Sequence, residues 1–121
     1  MRIFNKSLAV AACVAAVTFG AVAPPAYADV TLYENANYDW GPTLRTGETR
    51  HLGWMSDRAS SIKNHTHNCS WRYFEDIGHT GRNFASSSDF NYLRGLSHAD
   101  LHWGETWDDR ISSIKKEWCY N

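Results

Sequence analysis

One eight-residue stretch occurs twice in this chain, and the repetition limits the possible folds more than any composition value does. Ser56-Asp57-Arg58-Ala59-Ser60-Ser61-Ile62-Lys63 returns as Asp108-Asp109-Arg110-Ile111-Ser112-Ser113-Ile114-Lys115, with six of the eight positions identical at an offset of 52. So close a match in a short chain points to an internal duplication. Each copy opens on an acid, passes two hydroxyls and ends in the alternating run Ser-Ile-Lys, which suits a strand. Carboxylates and hydroxyls two or three residues apart are hard oxygen donors, the kind Ca2+ selects. The expectation is two linked loops, each giving oxygens to Ca2+.

The first 28 residues read as a signal peptide. Arg2 and Lys6 supply a positive start, Leu8 to Val22 is apolar apart from Thr18 and Gly20, and Ala26-Tyr27-Ala28 places small residues where a signal peptidase cuts. Cleavage is expected after Ala28, and the apolar run is too short for a lasting membrane span. A lipobox at Val10-Ala11-Ala12-Cys13 is the rival reading, with a very short apolar stretch ahead of it. The remaining 93 residues, 29–121, suffice for one small secreted domain. They carry ten Lys and Arg against all 13 acids, and a mildly acidic chain without basic clusters argues against nucleic acid as a partner. Cys69 and Cys119 are the only mature cysteines and are expected to pair in an oxidising compartment.

Strands are predicted at 30–33, 43–45, 50–52 and 61–63, followed by a polar linker at 64–68. The cycle then repeats with 71–74, 82–84 and 112–118. Glu34 recurs as Glu75 at an offset of 41, whereas the Asp loops recur at 52, so the second half holds 11 extra residues between Ser86 and Trp107. A helical turn is expected there around Ser97 to Asp100. The architecture is all-β: two four-stranded units, 29–67 and 68–121, packed as a sandwich.

This arrangement resembles the βγ-crystallin superfamily, whose domain is two Greek-key motifs forming a β-sandwich. Phe74-Glu75-Asp76-Ile77-Gly78-His79-Thr80-Gly81 follows the family's aromatic-Glu hairpin, with His79 at the second aromatic position. Tyr33 to Gly41 follows it with one residue more before the glycine. Asp108 to Ser113 matches the acidic-Ser signature of the microbial calcium-binding members, and Ser56 to Ser61 departs from it only at Ser56. The resemblance implies two Ca2+ sites between the loops. One uses Ser60, the carbonyl of Arg58 and the side chain of Asp109; the other uses Ser112, the carbonyl of Arg110 and the side chain of Asp57. Main-chain oxygens of Glu34 and Glu75 complete them, and the sequence does not assign either hairpin to either site. One carboxylate per site implies weak binding, on the order of 10⁻⁴ M. In the same fold the last serines, Ser61 and Ser113, brace the hairpins and bind no metal.

Other candidates are thinner. His65 with His67, and His98 with His102, have zinc-like spacing but no third ligand nearby. Six tryptophans suggest carbohydrate stacking, against which stands packing of Trp40, Trp54, Trp71 and Trp107 in the core and corners. No nucleophile elbow or His-Glu-x-x-His motif is present, so catalysis is not expected. The leading reading is a secreted, monomeric calcium-binding module whose ion stabilises the fold. The alternative is a metalloprotease inhibitor, because small actinobacterial inhibitors share this fold. The extra segment would then be the peptidase-contacting loop. A toxin-like or wall-binding module rests on fold analogy alone.

Overall fold

Alternating β-branched and aromatic side chains build six strands in a computed structural model that describes residues 28–97 and 101–120. They are β1 (Val30–Tyr33), β2 (Thr43–Thr46), β3 (Ser61–Asn64), β4 (Cys69–Asp76), β5 (Thr80–Ser86) and β6 (Ser113–Cys119). Two three-stranded antiparallel sheets result, ordered β2-β1-β3 and β5-β4-β6. The expected signal peptide, the lipobox and most of the expected turn at Ser97 to Asp100 lie outside the described residues. Among the described residues of the extra segment, a turn of 3-10 helix lies at Leu93–Gly95.

The predicted strand at 50–52 is not a strand. Thr49 makes an isolated bridge to Ile114, and the Leu52 N–H reaches the Ser112 carbonyl at 3.0 Å, so this segment lies beside β6 of the other sheet. Reciprocally, Phe90 bridges Ile62 of β3. Each half therefore lends its third segment to the partner sheet, and the units are three-stranded with an exchanged fourth element. A local pattern of alternation specifies extended chain but not which neighbour it pairs with.

Val30, Leu32, Met55, Ile62, Trp71, Tyr73, Trp107, Ile111 and Ile114 are fully buried between the sheets. The extra segment contributes to this core. Phe90 packs edge-on to Phe84 at 5.7 Å, Trp107 packs edge-on to Phe84 at 4.8 Å, and Leu93 is fully buried. The tryptophans divide differently from expectation. Trp71 and Trp107 are core residues, but Trp40 is 96% exposed and Trp54 is 52% exposed. Both belong to turns that protrude from the sheets, so neither has a facing layer to pack against.

Asn64, expected in a solvated linker, is also buried. Its Nδ2 donates to the carbonyls of Cys69 (3.2 Å) and Ser87 (2.9 Å), while its Oδ1 accepts from Trp71 Nε1 (3.2 Å) and the Thr66 N–H (2.9 Å). All four of its hydrogen-bonding positions are used. Cys69 and Cys119 face each other across β4 and β6 and form the disulfide. Asn64→Ala should lower stability by about 2–4 kcal/mol, because it orphans several buried groups at once. Asn68→Ala, at an exposed neighbour, should change stability by about 0.5 kcal/mol at most. Replacing both cysteines by Ala should cost about 2–4 kcal/mol through the unfolded state. Urea titration of the three variants reads all of these; an Asn64→Ala midpoint equal to wild type would contradict the structural weight of these four bonds.

Candidate functional site

Each repeated loop turns on an aspartate in left-handed backbone, with φ 60° at Asp57 and 57° at Asp109. Aspartate tolerates this conformation better than most residues because its short polar side chain bonds locally. The two turns lock together. The Asp57 N–H donates to the Ile111 carbonyl at 2.9 Å, and the Asp109 N–H donates to the Ala59 carbonyl at 3.0 Å. The Ser60 N–H then reaches the Tyr33 carbonyl (2.8 Å) and the Ser112 N–H the Phe74 carbonyl (2.9 Å), fastening each loop to the strand before its own hairpin.

Ser61 and Ser113 clasp the hairpins in the same way twice. Ser61 Oγ donates to the Asn35 carbonyl (2.6 Å) and accepts from the Tyr38 N–H (3.1 Å). Ser113 Oγ donates to the Asp76 carbonyl (2.6 Å) and accepts from the His79 N–H (3.1 Å). His79 fills the aromatic position as Tyr38 does. Its ring lies 5.3 Å from Phe74, as Tyr38 lies 5.5 Å from Tyr33. The imidazole adds what a phenol there lacks. Nε2 lies 3.1 Å from the Thr49 carbonyl and 2.9 Å from that of Ile114, so it carries a proton and ties the exchanged segment to β6.

The eight expected ligand residues fall into two clefts. Glu34, Arg58, Ser60 and Asp109 line one, together with Arg94 and Asp108. Glu75, Arg110, Ser112 and Asp57 line the other, beside Ser56. The first hairpin thus accompanies Ser60 and the second Ser112, while Asp57 and Asp109 stand between the clefts and line both. Each aspartate reaches the serine of the opposite loop, Asp57 Oδ1 accepting from Ser112 Oγ at 2.9 Å and Asp109 Oδ1 from Ser60 Oγ at 3.5 Å. Ser56, the residue that departs from the signature, donates to Ser112 Oγ at 2.8 Å.

Three other carboxylates here are held by arginines: Glu34 with Arg58 at 3.7 Å, Asp108 with Arg94 at 3.1 Å, and Glu75 with Arg82 and Arg110. Burial, and then the neighbouring Asp108 charge, push the Asp109 carboxyl above its ordinary range. A cation in that cleft would favour the ionised form again. The donor set of one carboxylate, a hydroxyl and carbonyls suits Ca2+ in type. It does not suit zinc, and among the described residues no group of three His, Cys, Asp or Glu is placed to hold a metal. His65 is taken up by Thr31 Oγ1 at 2.6 Å, His67 sits 3.7 Å from Asp89, and His98 lies outside the described residues.

One cluster escaped the sequence reading. Arg82 bonds Glu75 at 2.5 Å and Glu105 at 2.7 Å, and Arg110 approaches both glutamates at 3.4 Å. Glu75 and Arg110 belong to the two signatures, but Arg82 and Glu105 belong to neither, and only the fold brings the four together.

Comparison with known proteins fits this geometry. The family model described as peptidase inhibitor family I36 matches residues 28–86. No curated protein sequence matches the chain. Among solved structures, an archaeal βγ-crystallin is 25% identical, with a TM-score of 0.59, covering 74% of this chain and 98% of its own. A βγ-crystallin from Ciona intestinalis is 22% identical, with a TM-score of 0.58 and coverage of 74% and 99%. A βγ-crystallin domain from Clostridium beijerinckii is 20% identical, with a TM-score of 0.53 and coverage of 73% and 95%. The chain has the βγ-crystallin fold.

The arginine–glutamate cluster gives an acid limb to stability. Hydrogen bonds from Arg82 hold both glutamates below their ordinary range, Glu105 to about 2. A lowered folded-state pKa stabilises above the unfolded value and is lost as protons bind the folded state. The contribution should be complete above about pH 5 and fade toward pH 2. Arg82→Met should flatten that limb in denaturant titrations run at several pH values. An unchanged acid limb would show that the cluster contributes nothing.

Proposed function

We propose that this chain is a secreted, non-catalytic inhibitor of extracellular peptidases, with metallopeptidases the first class to test. The observation that carries the reading is the match of residues 28–86 to peptidase inhibitor family I36. The sequence by itself ranks calcium binding first; the family match reverses that order. The architecture supports the reading, since an inhibitor needs a rigid framework from which a loop can project without large ordering cost. Here the framework is closed by a disulfide and by exchanged strand segments. Export is supported by the signal-like residues 1–28 and by the disulfide.

A second reading stands on its own observation, the crossed Asp57–Ser112 and Asp109–Ser60 pairs. We propose that Ca2+ displaces these hydroxyl–carboxylate bonds and takes both groups as ligands. Carbonyls of Arg58 and Arg110 would join them, with main-chain oxygens of Glu34 and Glu75 and water. The ion would brace the framework, and the two readings are compatible.

Purified protein should inhibit a zinc metallopeptidase stoichiometrically in a peptide-hydrolysis assay and remain uncut or slowly cut. Absence of inhibition across metallo-, serine and cysteine peptidases would end the inhibitor reading. Separately, millimolar Ca2+ should raise the melting temperature, because an ion bound only to the folded state stabilises by RT ln(1 + [L]/Kd), about 2.7 kcal/mol at a hundredfold excess over Kd. Asp57→Ala and Asp109→Ala should each remove part of that rise, and Ser60→Ala and Ser112→Ala less. A melting temperature indifferent to Ca2+ would leave the loops as structural clasps alone.

A further inference from the structure

The 11 extra residues of the second half do not simply lengthen a loop. Their C-terminal part folds into a four-residue turn in which the Glu105 N–H donates to the His102 carbonyl at 3.0 Å. The Glu105 carboxylate turns back to accept the His102 N–H at 2.8 Å. That carboxylate is also gripped by Arg82, while Arg110 Nε donates to the Thr106 carbonyl at 2.6 Å. Trp107, the next large residue, is fully buried and its N–H reaches the Leu96 carbonyl at 2.9 Å. The turn is therefore pinned at its base from three directions. At its tip, between His102 and Gly104, Trp103 is 101% exposed.

From this geometry we propose that Trp103 is the specificity-determining contact with the target peptidase, entering an apolar side-chain pocket of its active-site cleft. The inference rests on the inhibitor reading and goes beyond it by naming the element and the pocket chemistry. A lone convex indole calls for a concave apolar partner, and peptidase clefts are concave and lined with such pockets. Tryptophan is the residue type that most often dominates a protein interface when its pocket excludes water. The pinned base keeps the loss of loop freedom on binding small. The turn's one acid faces inward to Arg82, so no carboxylate opposes entry into an apolar pocket. The matched family region ends at Ser86, short of this turn. That division suits a shared scaffold carrying a segment free to vary with the target. Trp40 is comparably exposed but sits within the matched region, on the first hairpin, and serves as the internal control.

The test uses the full mature chain with thermolysin as the metallopeptidase probe and chymotrypsin, whose specificity pocket is a hydrophobic slot, as the serine-peptidase probe. Against whichever enzyme wild type inhibits, Trp103→Ala should weaken inhibition by about thirtyfold or more. Trp103→Phe should retain most of it, and Trp40→Ala should stay within about threefold of wild type, as an interface neighbour of little weight would. Trp103→Ala should keep the wild-type urea midpoint, since the side chain is fully exposed. In the complex, the Trp103 indole should become protected from oxidation while Trp40 stays reactive. Inhibition by wild type that survives Trp103→Ala, or is lost with Trp40→Ala instead, overturns this inference and leaves the inhibitor reading standing. Failure of wild type to inhibit either probe or any other peptidase removes both.

Discussion

The reciprocal bonds between the two aspartate loops are the constraint from which the rest of the domain follows. Asp57 N–H to Ile111 and Asp109 N–H to Ala59 place the loops antiparallel and in register, related by the same offset that relates the two sequences. Once they are fixed, the segment before Asp57 must pass over β6, and Thr49 and Leu52 pair there. The segment around Phe90 must likewise pass over β3. Each half thus covers one edge of the other's sheet, β3 by the Phe90 segment and β6 by the Thr49 segment, while β2 and β5 form the outer strands. Open edges invite pairing with other chains, and the exchange satisfies part of the β3 and β6 edges from within the domain. A small chain with limited core gains cooperativity in the same step, because breaking one loop exposes both sheets.

Much of this was legible because duplication converts a weak signal into a repeated one. Six strand positions, the hairpins and the two loops came from spacing, and the offsets of 41 and 52 recur in the serine clasps. What escaped the reading has a common physical character. The exchange of Thr49 depends on pairing partners, and extended sequence does not name its partner. Asn64 looks like a linker residue, because polarity reports the side chain and not the four groups it bonds. His79 was read as a departure from an aromatic pattern. In the fold it keeps the ring contact and adds hydrogen bonds to two carbonyls, serving both needs with one side chain.

The extra segment shows how a duplicated scaffold acquires asymmetry without losing its core. Phe90, Leu93 and Trp107 point inward and fill space between the sheets, so the segment is anchored along its length. Trp103 stays outside this core, on a turn whose base is held by ion pairs and backbone bonds. Exposed ion pairs add little stability one at a time. Two arginines sharing two glutamates hold a geometry more firmly than either pair alone, because each side chain ordered for one bond is already ordered for the next. For a turn of four residues, such positioning matters more than the stability it adds.

The two clefts have diverged in charge while keeping the same backbone. Around Asp109, the arginines are spent on other acids, Arg58 on Glu34 and Arg94 on Asp108, so each cation is matched before Asp109 is counted. Partial burial and then the neighbouring Asp108 charge raise the proton affinity of Asp109, and the Ser60 hydroxyl bond offsets only part of that rise. Around Asp57, Arg110 and Arg82 converge on Glu75 and Glu105, tying the cleft wall to the base of the Trp103 turn. Asp57 meanwhile accepts a shorter bond from Ser112, which Ser56 supports from behind. A cation entering the Asp109 cleft would relieve an existing electrostatic strain. One entering the Asp57 cleft would have to break a tighter hydroxyl bond and sit beside Arg110. Opposite charges favour each other and like charges disfavour, so under the calcium reading proposed above the Asp109 side would be the stronger of the two.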